Sequence, residues 1–379
     1  MRISLLTDGI FPYVTGGMQR HSFYLCKYLL ENGHQVDLYH TNQSEKDIHA
    51  LEVFTPEAKK NLRSFVVIFP KRGRAPGHYI RESYDYSKKI WDVFRKQTLP
   101  DFIYAKGFSS WELLNQKRKG VKLPPVGVNF HGYEMFQPAP SLFEELKYAL
   151  ILRHPVKFCV RHADCVFSYG GKITAIIKGL GVLENKILEI PAGIDPSWLV
   201  TAPVPHQGNV RFIFVGRYER RKGLPELYAA IRALPDTMNF EFNFIGDIPV
   251  SKRLRRDHLK YHGKITDNEK MKEHLRHADV LVCPSHSEGM PNVILEGMAS
   301  GLAIIATDVG AISVAVNNKN GWLIEPRSKT QLVNALVEAG TVDLASKRAA
   351  ALEDVRTKFL WPEIGAKTIS LISNFMVHR

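Results

Sequence analysis

The order of short apolar runs and helix-length segments most strongly limits what this chain can fold into. In the first half, β-branched runs ("RISLLT", "QVDLYH", "PDFIYA", "VGVNF", "DCVFSY" and "KILEIP") alternate with longer segments such as "GGMQRHSFYLCKYLLENG". After the Pro- and Gly-containing link 201–209, the second half repeats this order from "VRFIFVG" to "GWLIEP". A repeated strand-then-helix order predicts parallel, doubly wound sheets. We therefore expect two Rossmann-like α/β domains, 1–200 and 201–360.

The expected position of a ligand follows from this fold class. Ligands of open α/β sheets bind beyond the carboxyl ends of the strands. Paired domains of this kind usually hold a ligand in the cleft between them. We therefore expect the two domains to face each other across a cleft, with the functional residues on loops that follow strands.

The charge balance favours anionic partners. Lys and Arg number 51 against 38 Asp and Glu, a formal net charge of +13. The excess is conspicuous at Lys59 to Lys96 and again at Leu152 to His162. Nucleic acid is disfavoured, because the chain has no zinc-finger spacing, RNP-like aromatic run or long basic tail. Anionic lipid, a phosphorylated substrate and a merely solvated basic face remain as interpretations.

Apolar runs and cysteines indicate a compartment. No uninterrupted apolar run approaches the roughly 18–20 residues needed to cross a bilayer. The four cysteines, Cys26, Cys159, Cys165 and Cys283, form no C-x-x-C pair and lie in apolar settings. Such settings are typical of buried free thiols. The expected location is a reducing cytoplasm.

Two loops that follow strands contain candidate anion-binding residues. Gly16 and Gly17 allow a tight turn before a helix, whose free N–H groups attract an anion. In "VGRYERRKGL", Arg217 and Lys222 flank a short loop just before another helix. Cations at a helix start are poorly placed for its dipole unless an anion lies between them. A diphosphate fits, with Arg binding it bidentately and Lys as a point charge.

The segment "SHSEGMPNVILEGMASG" keeps two carboxylates, Glu288 and Glu296, in otherwise apolar surroundings. We expect Glu288 in the loop before a helix, with Pro291 in the first turn, where its missing N–H costs nothing. The structural alternative is that Glu288 caps its own helix and Glu296 is a surface carboxylate. His131, in "VNFHGYE", follows a strand and precedes a glycine, so its ring is expected to point over the cleft.

These motifs together resemble a known family. "VGRYERRKGL" followed by "VLVCPSHSEGMPNVILEGMASGLAIIATDVG" resembles the nucleotide-sugar site of retaining GT-B glycosyltransferases of family 4 (glycosyl transferases group 1). The paired glutamates match the E-x7-E signature of that family. "GGMQRHSFYLCKYLLENGHQVDLY", "NFHG", "IPAGID" and "FLWPEIGAKTISLI" extend the resemblance over most of the chain.

The resemblance implies a GT-B fold in which a helix at Trp361 to Phe375, within 361–379, packs back on the first domain. It also implies roles for the site residues. Glu288 and the backbone of Gly289, Met290, Pro291 and Asn292 would hold the donor sugar, and Glu296 the ribose hydroxyls. Arg217 and Lys222 would bind the diphosphate beside Gly16 and Gly17, and His131 would face the donor sugar.

The implied chemistry uses no metal and no other cofactor. The chain contains no Asp-x-Asp, the pair that commonly holds a metal on the diphosphate in other sugar transferases. Arg217, Lys222 and helix N-termini would then neutralise the leaving diphosphate. The family implies retention by front-face attack, with a donor phosphate oxygen taking the acceptor proton. The donor is a nucleotide sugar such as a UDP- or GDP-sugar, and "HGKIT" lies where the family contacts the base.

The acceptor is expected on the first domain, as a sugar or a lipid-linked glycan of envelope polysaccharide, lipopolysaccharide or glycolipid synthesis. Basic and aromatic residues there suit an acceptor presented at the inner face of an anionic membrane. These residues are Lys71, Arg72, Arg74, Tyr79, Arg81, Tyr84, Tyr86, Lys88, Lys89 and Trp91. A small soluble acceptor is an alternative. Alternative functions are a catalytically silent nucleotide-sugar-binding module, a GT-B epimerase, or a phosphorylase using pyridoxal phosphate.

Overall fold

The computed structural model describes the chain except for residues 15, 43–47, 72, 74–76, 206, 207 and 379 and the side chain of Ala50. Its regular elements follow the alternation seen in the sequence. No helix in this described part is both long enough and apolar enough to span a membrane.

Seven parallel strands form the first sheet, in the order β3-β2-β1-β4-β5-β6-β7. The strands are β1 (Arg2–Leu6), β2 (Gln35–His40), β3 (Leu62–Val66), β4 (Phe102–Lys106), β5 (Val126–Asn129), β6 (Cys165–Ser168) and β7 (Ile187–Glu189). In the register, Ile3 of β1 lies opposite Val36 of β2 and Phe102 of β4. The strand order reverses at β1, and such a reversal is where doubly wound sheets bind ligands.

Six parallel strands form the second sheet, in the order β10-β9-β8-β11-β12-β13. They are β8 (Val210–Val215), β9 (Phe240–Ile245), β10 (Leu259–Gly263), β11 (Val280–Cys283), β12 (Ala303–Thr307) and β13 (Gly321–Ile324). The order again reverses at the first strand of the set, because β8 lies between β9 and β11. Loops after β8 and β11 therefore leave the same edge of the sheet side by side.

Helices connect the strands. They are α1 (Gly17–Glu31), α2 (Pro56–Lys60), α3 (His78–Phe94), α4 (Trp111–Arg118), α5 (Leu142–Lys147), α6 (Arg153–His162), α7 (Lys172–Gly179), α8 (Leu224–Ile231), α9 (Asn268–Arg276), α10 (Asn292–Ala299), α11 (Ile312–Ala315), α12 (Lys329–Ala339), α13 (Ala345–Lys358) and α14 (Trp361–Val377). A π-helical turn, Tyr148–Leu152, joins α5 to α6 without a break.

The described residues form two units by their internal contacts. The first unit consists of Met1–His131, Glu145–Pro191 and the chain from Trp361 onwards, and the second of Gly132–Glu144 and Ala192–Leu360. The sequence placed one boundary at residue 200 and kept 132–144 in the first domain. The contacts instead place that boundary after Pro191 and assign 132–144 to the second unit.

Helix α14 packs on α1 within the first unit. The buried Trp361 ring stacks on Tyr28 at an interplanar angle of 11° and meets the His21 ring edge-on at 4.9 Å. Gly365 comes so close to Tyr28 that an added Cβ would lie 3.0 Å from the Tyr28 Cβ. Helix α14, which follows the residues of the second unit in the chain, thus packs on the aromatic side chains of α1.

The basic stretch from Lys59 to Lys96 is only partly a surface. It contains β3, an edge strand that the sequence interpretation missed because charged residues surround it. It also contains the buried face of α3, including Tyr86, Ile90 and Phe94. These parts of the stretch are therefore not a solvated basic face, since their apolar side chains complete the core.

The four cysteines are free and buried, as their apolar settings predicted. Burial raises the pKa of the Cys26 thiol to about 12, so this thiol stays protonated at neutral pH.

Candidate functional site

Glu288 lies in the loop between β11 and α10, as the sequence predicted. Pro291 is the residue just before α10 and not in its first turn, with an extended backbone (φ −73°, ψ 125°). The first N–H groups of a helix have no partners within the helix. The start of α10, at Asn292, is therefore a place where a ligand can accept hydrogen bonds.

Two cations hold the Glu288 carboxylate. Lys222 Nζ donates to Glu288 Oε1 at 2.6 Å, and Arg221 Nη1 donates to Oε2 at 3.3 Å. The Glu288 side chain is only 7% exposed. Burial alone would raise the pKa of this carboxyl, but the charges of Lys222 and Arg221 outweigh burial and lower it. Glu288 is therefore an anion that accepts hydrogen bonds.

A glycine brings the Lys222 loop against the Glu288 loop. Gly223 has φ +71°, a left-handed conformation that suits glycine. A Cβ at this position would overlap the backbone carbonyl of Pro284, which follows β11. Gly223 thus permits the close backbone contact that places Lys222 beside Glu288.

Gln137 fixes the backbone of the Glu288 loop. Its Nε2 donates to the Glu288 carbonyl at 2.7 Å, and its Oε1 accepts from the Glu288 N–H at 3.3 Å. Gln137 is 7% exposed and belongs to the segment Gly132–Glu144 of the same unit. Nothing in "MFQPAP" indicated this role, because the contact joins residues 151 positions apart.

Arg217 does not join Lys222 at the carboxylate. Its side chain is 75% exposed and pairs with Glu219, with Nη1 2.9 Å from Oε1. The other oxygen of Glu219 accepts from Arg221 Nε at 2.9 Å. In the structure, Arg221 therefore takes the position beside Lys222 that the sequence interpretation gave to Arg217. Arg221 stood within the quoted "RYERRKG" motif, but three consecutive cations cannot be told apart without the loop geometry.

His286 lies at the centre of a second polar group in this unit. The ring is buried, with Nε2 2.8 Å from Arg220 Nη1 and 3.2 Å from Glu226 Oε2. Arg327 Nε donates to His286 Nδ1 at 3.2 Å. Burial would raise the pKa of the Glu226 carboxyl, but hydrogen bonds from His286 and Arg220 outweigh it and lower the pKa to about 2. Through His286, the contacts with Arg220, Glu226 and Arg327 stabilise the loop before α10.

The remaining expected donor residues lie on α10 or just before it. Glu296 is on the helix and half-buried. Gly289 O accepts from Ala311 N at 2.8 Å, and Met290 Sδ accepts from Ala192 N at 3.2 Å. Met290 is thus buried in its own unit, so only its backbone is available to a ligand. The donor-binding roles themselves stay predictions.

A separate cluster forms in the first unit at the carboxyl edge of its sheet. His131 follows β5, Tyr169 follows β6 and Lys106 ends β4. Tyr169 Oη lies 2.9 Å from His131 Nδ1, and the His131 and His21 rings meet edge-on at 5.1 Å. Lys106 Nζ is 2.8 Å from Nδ1 of His21, which lies on α1. The sequence indicated His131 but none of the other three residues.

Burial controls the charge of this cluster. It lowers the pKa of Lys106 well below the ordinary lysine value, and no carboxylate pairs with this ammonium in the contacts of the described residues. Burial and the nearby charge of Lys106 also lower the pKa values of His21 and His131. Both imidazoles are therefore neutral at neutral pH. A neutral imidazole can donate one hydrogen bond and accept another.

The glycine pair lies at the start of α1, as expected. Gly16 is the residue before the helix and Gly17 its first residue. A Cβ on Gly16 would overlap the side-chain oxygen of Gln19. Gln19 in turn donates to Asp8 Oδ1 at 2.9 Å, just after β1.

The expected acceptor residues divide into three groups. Arg72 and Arg74 lie outside the described residues. Tyr86 was wrongly placed on the surface, because it is 1% exposed and donates to Thr7 O at 2.7 Å. The others are exposed or half-buried: Lys71, Tyr79, Arg81, Tyr84, Lys88, Lys89 and Trp91.

In the part of the chain that the structure describes, no three His, Cys, Asp or Glu side chains are grouped so as to hold a metal ion. Whether a metal takes part in the reaction stays a prediction.

Full-length similarity to solved structures defines the fold class. Sucrose-phosphate synthase from Thermosynechococcus elongatus superimposes with a TM-score of 0.78 and 19% identity over 100% of both chains. HepE from Anabaena, solved in complex with UDP and glucose, has a TM-score of 0.64 and 16% identity, covering 98% of this chain and 99% of that one. The two parallel α/β domains thus have the GT-B fold, as the sequence predicted.

Two family models match the chain. Residues 15–198 match the model described as Glycosyltransferase Family 4, and residues 209–340 match the one described as Glycosyl transferases group 1. The chain therefore belongs to family 4 of the glycosyltransferases, with a group 1 region in its second half.

A curated relative matches over a shorter region. The putative teichuronic acid biosynthesis glycosyltransferase TuaC of Bacillus subtilis (strain 168) is 36% identical over 124 residues, which are 33% of this chain and 31% of the relative. The match spans less than half the length of each of the first three curated relatives.

Proposed function

We propose that this protein is a glycosyltransferase that moves a sugar from a nucleotide-sugar donor to an acceptor hydroxyl with retention of configuration. The observation that carries the proposal is the Lys222–Glu288–Arg221 group in front of α10. With Glu219, which pairs with both Arg221 and Arg217, the three cations and two carboxylates leave one net positive charge. Family membership supports the reading of this group as a donor site.

The group suits a leaving diphosphate. As the bond from the sugar C1 to the phosphate oxygen breaks, negative charge grows on the phosphate. Lys222 and Arg221 belong to one loop and are held by Glu288, and in this proposal they stabilise that charge. Glu288 is an ionised acceptor for sugar hydroxyls. The new bond joins C1 to the acceptor oxygen, and the acceptor proton goes to a donor phosphate oxygen.

Arg217 has a smaller part in this proposal than the sequence suggested. Its exposed guanidinium is held by Glu219 and can reach a diphosphate only by leaving that partner. We place Arg217 at the outer end of the donor diphosphate and Arg221 at the inner end. His131 and Glu296 keep the roles that the family resemblance implies.

We further propose a metal-independent reaction that uses a UDP- or GDP-sugar and an envelope-glycan acceptor at the inner face of the membrane. UDP is the nucleotide bound in the HepE structure. TuaC is a putative teichuronic acid biosynthesis glycosyltransferase. The net charge of +13 suits an anionic or lipid-linked acceptor.

Thermal stabilisation by UDP-, GDP- and ADP-sugars, followed by turnover of the stabilising donor, tests the proposal. We expect Lys222→Ala to lower turnover more than about tenfold, because losing a charge-assisted contact to the leaving group costs more than about 1.4 kcal/mol. The exposed Lys270→Ala, on α9, is the matched control and should leave turnover unchanged. Activity should also survive EDTA.

Each alternative has its own outcome in this experiment. Donor binding without turnover under any acceptor would indicate a silent nucleotide-sugar-binding module. Conversion of the donor into a different nucleotide sugar would indicate an epimerase, and a pyridoxal absorbance band would indicate a phosphorylase. Normal turnover by Lys222→Ala would remove the diphosphate assignment, and loss of activity in EDTA restored by Mn²⁺ would end the metal-independent proposal.

A further inference from the structure

The helical run that begins with α5 exposes a row of large apolar side chains. Leu146 is 58% exposed and Leu150 is 73% exposed. The two residues that begin α5, Leu142 and Phe143, are 90% and 74% exposed. Leu142 and Phe143 belong to the second unit, whereas Leu146 and Leu150 belong to the first and are four residues apart, so these two leucines lie on one side of the run. The π turn has more residues per turn than an α-helix, and residues four positions apart still lie on the same side of it.

This row differs from ordinary exposed leucines. Single apolar side chains on a surface are normal and need no explanation. A contiguous group with polar neighbours is typical of a surface that contacts a partner or a membrane. The buried side of the same run, which includes Tyr148 and Val156, already packs in the first unit. The exposed leucines are therefore not required by the core.

Cations surround the apolar row. Lys147 lies within it, and the exposed Lys157 follows on α6. The Arg118 guanidinium lies over the Phe158 ring at 5.5 Å, which places a further cation beside α6. The acidic residues of this run are Glu144 and Glu145, both half-buried, and Arg153 pairs with Glu145.

The start of α3 adjoins the same row. An added Cβ on Gly77 would lie 3.8 Å from Ile151 Cγ2, so the first turn of α3 touches the π turn. This first turn exposes Tyr79, at 46%, and Arg81 follows it on the surface. An aromatic ring with a polar end and a nearby guanidinium are typical of the boundary between lipid headgroups and acyl chains.

We propose that Leu146 and Leu150, both in the first unit, form the surface by which this protein binds an anionic lipid bilayer. The apolar side chains enter the boundary between headgroups and acyl chains, while Lys147, Lys157, Arg118 and Arg81 remain among the lipid phosphates. This inference rests on the proposed function in one respect, since a lipid-linked acceptor would be presented at that surface. It moves the expected membrane contact from Lys71 and its neighbours to α5 and α6.

Charge decides between a bilayer and a second copy of this chain. A two-fold pair built on these leucines would bring the surrounding cations of both copies together, and like charges repel. An anionic bilayer instead offers negative charge around an apolar interior. Each cation near such a surface strengthens binding by about fivefold.

Co-sedimentation of the full chain with vesicles of phosphatidylcholine, with and without about one third phosphatidylglycerol, tests the proposal across a salt series. We expect binding to the anionic vesicles that weakens with salt. Leu146→Ser/Leu150→Ser should lower it at least tenfold, and Lys147→Gln/Lys157→Gln should lower it at low salt. Matched controls are Leu99→Ser/Leu183→Ser, which removes two exposed leucines elsewhere in the unit, and Lys252→Gln/Lys270→Gln, which removes two exposed cations of the second unit.

Three results would overturn the proposal. In the first, the parent fails to bind anionic vesicles even at low salt, and in the second, the control pairs weaken binding as much as the test pairs. In the third result, sedimentation velocity would find a dimer that Leu146→Ser/Leu150→Ser converts to a monomer, so that a second copy covers the leucines. Nucleotide-sugar affinity measured without vesicles reports on the proposed function separately and should be equal in all these variants.

Discussion

At the scale of single residues, the two candidate clusters use burial in opposite ways. In the second unit, Glu288 is buried together with Lys222, so that each charge has a partner. In the first unit, Lys106 is buried beside a neutral histidine, and burial lowers the pKa of its amino group well below the ordinary lysine value. The first arrangement keeps a carboxylate ionised, whereas the second keeps two imidazoles neutral.

Lys106→Met is expected to raise the pKa of His131. Burial is the larger cause of the lowered pKa and stays in place, but the repulsive charge of Lys106 is removed. Titration of the imidazole signals by NMR measures the change. The exposed Lys122→Met, which makes the same charge change elsewhere, should leave that pKa unaltered. An unchanged His131 titration in Lys106→Met would mean that the lysine is neutral in the folded protein.

Asp8→Asn is expected to stabilise the protein at neutral pH. Burial raises the pKa of Asp8 from 3.8 to about 6, so the folded state binds a proton more tightly than the unfolded state. Stability therefore falls as pH rises from about 4 to about 6, by up to about 3 kcal/mol at 1.36 kcal/mol per pKa unit. Asn keeps the acceptor for Gln19 without this charge.

Denaturant unfolding at pH 4 and pH 7 measures the effect of Asp8→Asn. The gain should appear at pH 7 and shrink towards pH 4, where the parent carboxyl is mostly protonated. Asp92→Asn, at an exposed side chain, is the control for the change in net charge. A gain of equal size at both pH values would show that the charge of Asp8 is not the cause.

At the scale of elements, the loops that follow strands hold the candidate site residues, and glycines determine how closely neighbouring loops approach one another. Gly223 lets the turn before α8 touch the end of β11. Gly310, with φ +59°, follows β12, and a Cβ there would overlap the carbonyls of Glu288 and Gly289. The Glu288 loop is thus packed between two backbones without intervening side chains.

Gly223→Ala is expected to destabilise the second unit by about 1–3 kcal/mol, because φ is left-handed and the Cβ overlaps Pro284. Gly263→Ala is the matched control, with φ +72° and no heavy atom within 4 Å of its Cβ. Gly263→Ala should lower the free energy of unfolding only by the cost of holding an alanine in the left-handed backbone conformation. Thermal unfolding of both variants measures the difference, and equal losses would show that the contact with Pro284 is not the cause.

The sequence predicted elements better than contacts. The strands of both units were found because parallel strands buried on both faces read as continuous apolar runs. Strand β3 was missed because an edge strand can carry exposed charged residues, here Arg63. The motifs indicated Lys222 and Glu288, which the structure brings into contact and whose roles stay predictions, whereas Gln137 and Lys106 were not indicated. Their roles depend on which chain segments meet, which no local pattern records.

At the scale of the whole molecule, the first unit is built from pieces of chain that are far apart. Helix α14 belongs to it although the residues of the second unit precede α14. Trp361 anchors that helix through rings on α1. Cutting the chain between the units would therefore leave the first one incomplete.

Trp361→Ala is expected to destabilise the first unit by about 3–5 kcal/mol, the usual cost of truncating a buried aromatic side chain. Hydrogen exchange should show the loss of protection in α1 and α14. Trp322→Ala, at a partly buried tryptophan of the second unit, should leave these two helices protected. Unchanged exchange in α1 after Trp361→Ala would contradict the anchoring role.

The docking of α14 on α1 also sets an order of events during synthesis. Residues 1 to 191 leave the ribosome long before residue 361, so α1 lacks its partner helix until residues 192–360 of the second unit have been translated. During that interval Tyr24, Tyr28 and His21 lack the tryptophan that covers them. The aromatic side chains of α1 therefore lack the tryptophan that covers them for as long as the ribosome takes to make more than 150 further residues.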